Sequence, residues 1–168
     1  YAAIFVGLIV TASLIYLLIR ANNPGDNDLP EKNNGIAEVI NSGITEKTVQ
    51  LADGSSVRLA PGSEIRYSTQ MGTQSMRDVY LSGEAFFEVA KNPNKPFRVF
   101  SQELVTKVLG TSFTVKAKKN DSKISVTVIT GKVSVYDKAN TETPKEKSHK
   151  NLTGVVLTPN QELIYLRD

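Results

Sequence analysis

The sequence predicts an all-β fold, an antiparallel two-sheet sandwich, preceded by one transmembrane α-helix. Three observations carry this. From Ile36 onward, apolar residues recur with period two, the spacing of half-buried strands. Turn signals containing Gly, Pro or Asn separate those runs at close intervals. Residues 1–19, by contrast, hold no charge at all, and the first charged residue is Arg20.

Nineteen uncharged residues, mostly Ile, Leu, Val and Ala, extend about 28 Å as a helix, close to the thickness of a bilayer core. Residues 1–20 therefore read as a membrane span, with Tyr1 and Tyr16 near its ends, where amphipathic aromatics prefer the interface. A signal peptide would need a basic leader, a shorter apolar run and a small-residue cleavage site, and none is visible. A buried core helix would usually show a polar stripe. Residues 21–35, ANNPGDNDLPEKNNG, are rich in turn formers and read as a linker that lets a domain stand off the membrane. Arg20 is the one basic residue next to the span on this side, and Asp26, Asp28 and Glu31 follow. Few positive charges on that flank favour an outside location.

The β domain runs from residue 36 to 168. TVQLADGSSVRLAPGSEIRY (48–67) places Val49 and Leu51, Val57 and Leu59, and Ile65 and Tyr67 around Asp53-Gly54 and Pro61-Gly62 turns. Glycine suits such turns because it accepts positive φ. Further strands are predicted at 79–89, 97–100, 104–109, 112–117, 123–129, 132–136, 154–157 and 162–166. Ile36–Ile40 is too short to assign. A loose echo (QLADGSSVRL, YLSGEAFFEV, VLGTSFTV, VITGKVSVY, VLTPNQELIY) has no fixed period, which argues against a solenoid. Residues 137–151, DKANTETPKEKSHKN, hold one aliphatic side chain and read as a solvated loop or a partner-docking segment.

Composition excludes several function classes. The net charge is +3, and no basic stripe interleaves with aromatics, so nucleic acid is not an expected partner. With no cysteine and one histidine, His149, neither a thiolate metal site nor a nucleophile–imidazole arrangement is expected, and no cofactor is implied. Glu84 and Glu88 flank two phenylalanines, which invites comparison with a glycosidase pair. On one strand they would stand about 13 Å apart, whereas retaining chemistry needs about 5 Å and inverting chemistry at most about 9.5 Å. Asp53, Asp78 and Glu103 are other carboxylates, but nothing in the sequence gathers them. In a strand Glu84, Phe86 and Glu88 share one face, and Gly83, Ala85, Phe87 and Val89 the other. Gly83 would let the strand bend, and Pro93 and Pro96 end it.

Five blocks in order resemble the FecR family. They are V-x-L-x-D-G-S-x-V-x-L (Val49 to Leu59, with Ser63 and Tyr67 beyond), R-x-V-x-L-x-G-E-A-F-F-E-V-A-K (Arg77 to Lys91, then K-P-F-x-V from Lys95), T-K-V-L-G-T-S-F-T-V (Thr106 to Val115), V-T-V-x-x-G-K-V-x-V (Val126 to Val135) and V-x-L-x-P-x-Q (Val155 to Gln161). Together they cover roughly residues 45–166. The resemblance implies a jelly-roll-like sandwich in the periplasm, carried by a single-pass inner-membrane anti-sigma regulator. It implies a cytoplasmic N-terminal domain that binds an extracytoplasmic-function sigma factor, and a C-terminal module, both outside this sequence. It implies a TonB-dependent outer-membrane transporter as the source of the signal and regulated proteolysis as its outcome. It also implies possible chemistry at Gly110-Thr111, because some members cleave themselves at a Gly-Thr bond in this motif. A threonine hydroxyl can attack the preceding carbonyl when the bond is strained, and glycine leaves the approach open. A plain turn or bulge is the alternative there.

Three functions compete on these grounds: a membrane-tethered signalling module, a membrane-anchored jelly-roll carbohydrate-binding module, and a two-carboxylate hydrolase. The second would favour exposed aromatic platforms, yet there is no Trp and only six Phe and six Tyr. The third ranks last.

Overall fold

The computed structural model describes residues 35–139 and 154–167. The expected helix at 1–20, the linker up to residue 34 and loop residues 140–151 lie outside the described residues. No helix among the described residues is long and apolar enough to cross a membrane.

Among the described residues there are twelve strands: β1 (Ile36–Ile40), β2 (Lys47–Gln50), β3 (Ser56–Leu59), β4 (Glu64–Ser68), β5 (Arg77–Glu88), β6 (Phe97–Ser101), β7 (Leu104–Val108), β8 (Ser112–Ala117), β9 (Lys123–Thr130), β10 (Val133–Asp137), β11 (Val155–Leu157) and β12 (Glu162–Leu166). The undecided Ile36–Ile40 is a strand, paired antiparallel with β4. One sheet runs β1-β4-β5-β6-β7-β10-β11 and the other β2-β3-β5-β8-β9-β12. The domain is thus an all-β sandwich.

β5 belongs to both sheets. Its first half pairs with β4 and β6, and its second half, from Gly83, with β3 and β8. Gly83 is where it changes sheets: φ is +105°, and a Cβ there would sit 2.4 Å from Ser63 Oγ. Ser63 Oγ in turn accepts from the Glu84 amide at 2.8 Å. Only glycine allows the strand to pass this close at that angle.

One ladder corrects the antiparallel expectation: β5 and β6 are parallel. Parallel neighbours need a crossover of about a dozen residues or more. Here sixteen residues (81–96) supply it, because the second half of β5 travels through the opposite sheet before the chain returns. Period-two patterning cannot reveal this, since the inward and outward alternation of β5 continues unbroken through Gly83.

Inward residues fill the space between the sheets. Phe87 stacks on Phe113 at 5.1 Å and meets Phe97 edge-on at 6.2 Å, and all three rings are fully buried. Val79, Leu59, Ile65, Leu104, Ile124, Val126 and Val133 surround them. Each such side chain contributes about 1.5–3 kcal/mol by leaving water.

Candidate functional site

Four connections pass between the sheets at one end of the sandwich: residues 89–96, 109–111, 131–132 and 158–161. The first three pack on one another. The Val89 amide donates to the Thr111 carbonyl at 3.0 Å and the Asn92 amide to the Leu109 carbonyl at 2.7 Å. A Cβ on Gly110 would lie 2.6 Å from Lys91 Cα, and one on Gly131 would lie 2.8 Å from Thr111 Oγ1. The backbones approach so closely because both residues are glycine. At the fourth connection the Val128 amide donates to the Gln161 carbonyl at 3.0 Å, beside a bulge where Ile129 is the extra residue.

Arg77 holds this junction from inside. Alternation along β5 turns it toward the core with Val79 and Leu81, and it is only 1% exposed. A guanidinium in an apolar interior must be paired and hydrogen-bonded. Asp53, from the β2–β3 turn, supplies the charge: Arg77 Nη1 lies 2.8 Å from Asp53 Oδ2. The same Nη1 donates to the Ala90 carbonyl at 2.9 Å, and Nε to the Lys95 carbonyl at 2.9 Å. Its charge also lies over the Phe97 ring, 5.4 Å from the centroid. Asp53 further accepts from the Ser55 amide and hydroxyl, and Ser55 Oγ accepts from the Ala90 amide. One arginine and one aspartate thus tie the β2–β3 turn to both ends of the 89–96 crossover.

Sequence reasoning missed this pair. It treated Asp53 as a turn former and as one of several ungathered carboxylates, and Arg77 only as the first letter of a motif. The signal was available, because an arginine at an inward strand position requires a buried counter-ion.

Gly110 and Thr111, the candidate self-cleavage residues, sit at the centre of the junction. Gly110 has φ +151°, and Thr111 is buried. The Thr111 hydroxyl donates to the Lys132 carbonyl at 3.1 Å, its one hydrogen bond among the described residues, and a carbonyl is not a general base. Glu84 and Glu88 are not gathered into a site. Both face outward; Glu84 pairs with Lys116 at 2.9 Å and Glu88 accepts from Ser56 Oγ at 3.3 Å. Asp78 is engaged by Arg98 through two bonds of 2.8 and 2.6 Å, and Glu103 pairs with Arg167. Among the described residues no three His, Asp or Glu side chains could hold a metal ion.

The outer faces differ from the junction. On the second sheet Arg58 covers the Phe86 ring at 4.4 Å. On the first, Tyr80 stacks on Phe100 at 5.0 Å, with Arg66 and Arg98 over the two rings. The Glu64 carboxyl beside them is held above its ordinary range because its protonated form donates a hydrogen bond to Glu38, helped by partial burial. The Tyr136 hydroxyl is pushed up by burial, with Arg98 opposing.

The geometry can be set against known proteins. The family model described as FecR protein matches residues 39–134. Two crystal structures of a proposed anti-sigma factor from Parabacteroides distasonis ATCC 8503 are similar, each 34% identical, with TM-scores of 0.62 and 0.61. Each alignment covers 79% of this chain but only 61% and 60% of the other. No curated protein sequence matches. The sequence blocks that resembled FecR are the ones that build the junction, the family model spans more than half of the sequence, and the chain belongs to the FecR family.

Proposed function

We propose that this chain is the periplasmic relay portion of a single-pass, inner-membrane anti-sigma regulator. The carrying observation is FecR membership together with 34% identity to a proposed anti-sigma factor over most of the chain. The uncharged run at 1–19 supports the anchor, and the low positive charge after it supports the location outside. In this reading a TonB-dependent outer-membrane transporter delivers the signal. The β domain passes it on, and regulated proteolysis releases an extracytoplasmic-function sigma factor held by a cytoplasmic domain beyond Tyr1. The domain works by binding. The test is to restore the full native chain, crosslink it in its own membranes, and identify captured proteins by mass spectrometry. Recovery of a sigma factor and an outer-membrane transporter is expected. Recovery of neither, with bound glycan instead, would replace this account with the anchored carbohydrate-binding module.

A second reading concerns the Gly110-Thr111 bond. The resemblance of this motif suggests self-cleavage; Gly110 packs on Lys91 and Thr111 is buried, with its hydroxyl on the Lys132 carbonyl. The hydroxyl would add to the Gly110 carbonyl carbon, the amide nitrogen would leave as the Thr111 amine, and water would hydrolyse the ester. Intact mass after long incubation decides it. Two fragments from wild type and none from Thr111→Ala support the reading; identical intact masses remove it.

A further inference from the structure

The outer face of the first sheet carries a groove of about 410 Å³ that lies away from the junction. Its floor follows from topology. The parallel β5–β6 ladder sets Tyr80 beside Phe100, so the rings stack at 5.0 Å and only 20° apart. Tyr80 remains 45% exposed although it lies between two strands in mid-sheet. The stacked pair is an apolar floor of fixed shape, and because Arg98 lies over Phe100 its open surface is mainly that of Tyr80.

The rim is cationic. Arg66 stands over Tyr80, its guanidinium 5.9 Å from the ring centre. Lys119 comes from the β8–β9 turn, Lys138 follows β10, and Arg167 follows β12. Glu64 is the one carboxylate in the lining, and it is already hydrogen-bonded to Glu38. The lining therefore has a formal excess of three positive charges, or one when Glu103 beside Arg167 and Glu38 beside Glu64 are counted. The corresponding cleft on the second sheet is smaller, about 280 Å³, and its Glu46 and Glu84 outnumber Arg58. The positive excess thus belongs to this groove and not to that cleft.

An apolar floor with a basic rim matches carboxylates flanking an apolar side chain.

We propose that this groove docks an acidic, partly apolar segment of a partner protein. Its carboxylates meet Arg66 and Lys119, and its apolar side chain lies against Tyr80; Arg167 is held by Glu103 and by the Lys119 and Asp121 carbonyls. The proposal rests on the groove's charge and shape, and it stands or falls apart from the identity of the sigma factor or transporter.

The test uses the full chain in nanodiscs of phosphatidylcholine and three fluorescent probes: the hexapeptides DEFELD and KKFKLK, and hexathymidylate. Binding is read by anisotropy. DEFELD is expected to bind, to weaken as salt rises, and to exceed both other probes. Arg66→Glu with Lys119→Glu should weaken it about tenfold. Tyr80→Ala should weaken it several-fold, while Arg58→Glu on the opposite face should leave it unchanged. All are surface changes, and an unaltered melting temperature verifies folding. Absence of DEFELD binding at millimolar concentration would overturn the proposal. So would equal binding of KKFKLK, tighter binding of hexathymidylate, or equal losses from the Arg66/Lys119 and Arg58 changes in folded protein.

Discussion

Arg77 and Arg66 show how differently one side chain serves two regions of this molecule. Arg77 lies at the cross-sheet end with its side chain 2% exposed, and its charge is met by Asp53, two carbonyls and a ring. Arg66 lies on the outer face with its side chain 55% exposed, 3.8 Å from Glu64 and above Tyr80. The buried cation is committed to holding chain segments together. The exposed one is available to a partner. The blocks that mark the family therefore build the junction, while the surface suited to recognition lies on residues that the blocks constrain only through strand register.

Breaking the buried pair should have the largest effect. Arg77→Ala leaves Asp53 buried without its counter-ion and should cost about 3–5 kcal/mol, read as a lower urea midpoint with the Arg66→Glu variant as the contrast. Gly110→Ala comes next. The new Cβ would meet Lys91 Cα at 2.6 Å at φ +151°, so one connection must move away from another. A loss of about 2–3 kcal/mol is expected from strain and overpacking, measured by the same unfolding titration. On the outer face the effects shrink. Phe86→Ala removes the ring beneath Arg58 and should cost about 1 kcal/mol, because neither group is deeply buried.

The smallest effect is a pH dependence. The folded protein holds the Glu64 carboxyl above its ordinary 4.5 because of Glu38. With a raised folded pKa, the folded state binds more protons than the unfolded chain just above that value. That contribution is present at lower pH and is lost as pH rises through the folded value. Glu38→Ala removes the hydrogen-bond acceptor and the neighbouring charge together, so its unfolding midpoint should fall less than that of wild type when pH is raised from about 5 to about 7.

Much of this architecture was legible in the sequence. The β8 and β12 boundaries agree with the reading at both ends, and β5 differs by one or two residues. Alternation placed Glu84, Phe86 and Glu88 outward and Phe87 inward, as observed. Gly83 was read as a bend and proves to be the sheet change. The parallel ladder was not legible, because a strand that crosses from sheet to sheet keeps the same alternation. The junction was half legible: its blocks stood out as motifs, but their convergence depends on long-range packing that no local pattern encodes. The groove was not legible, since Tyr80 and Phe100 are twenty residues apart and Lys119, Lys138 and Arg167 lie nineteen or more from either ring. The membrane span at 1–20 rests on sequence alone.

The central claim is that the family blocks form one physical junction held by the Arg77–Asp53 pair. Hydrogen exchange on Asp53→Asn tests it most directly, because the substitution keeps the side chain's shape and removes its charge. The amides of Val89, Ala90 and Asn92 donate across the junction to Thr111, Ser55 and Leu109. They should lose protection together, and by more than the amides of Ile124 and Val126 in β9. Unchanged protection at the junction, or an equal loss throughout both sheets, would contradict the account.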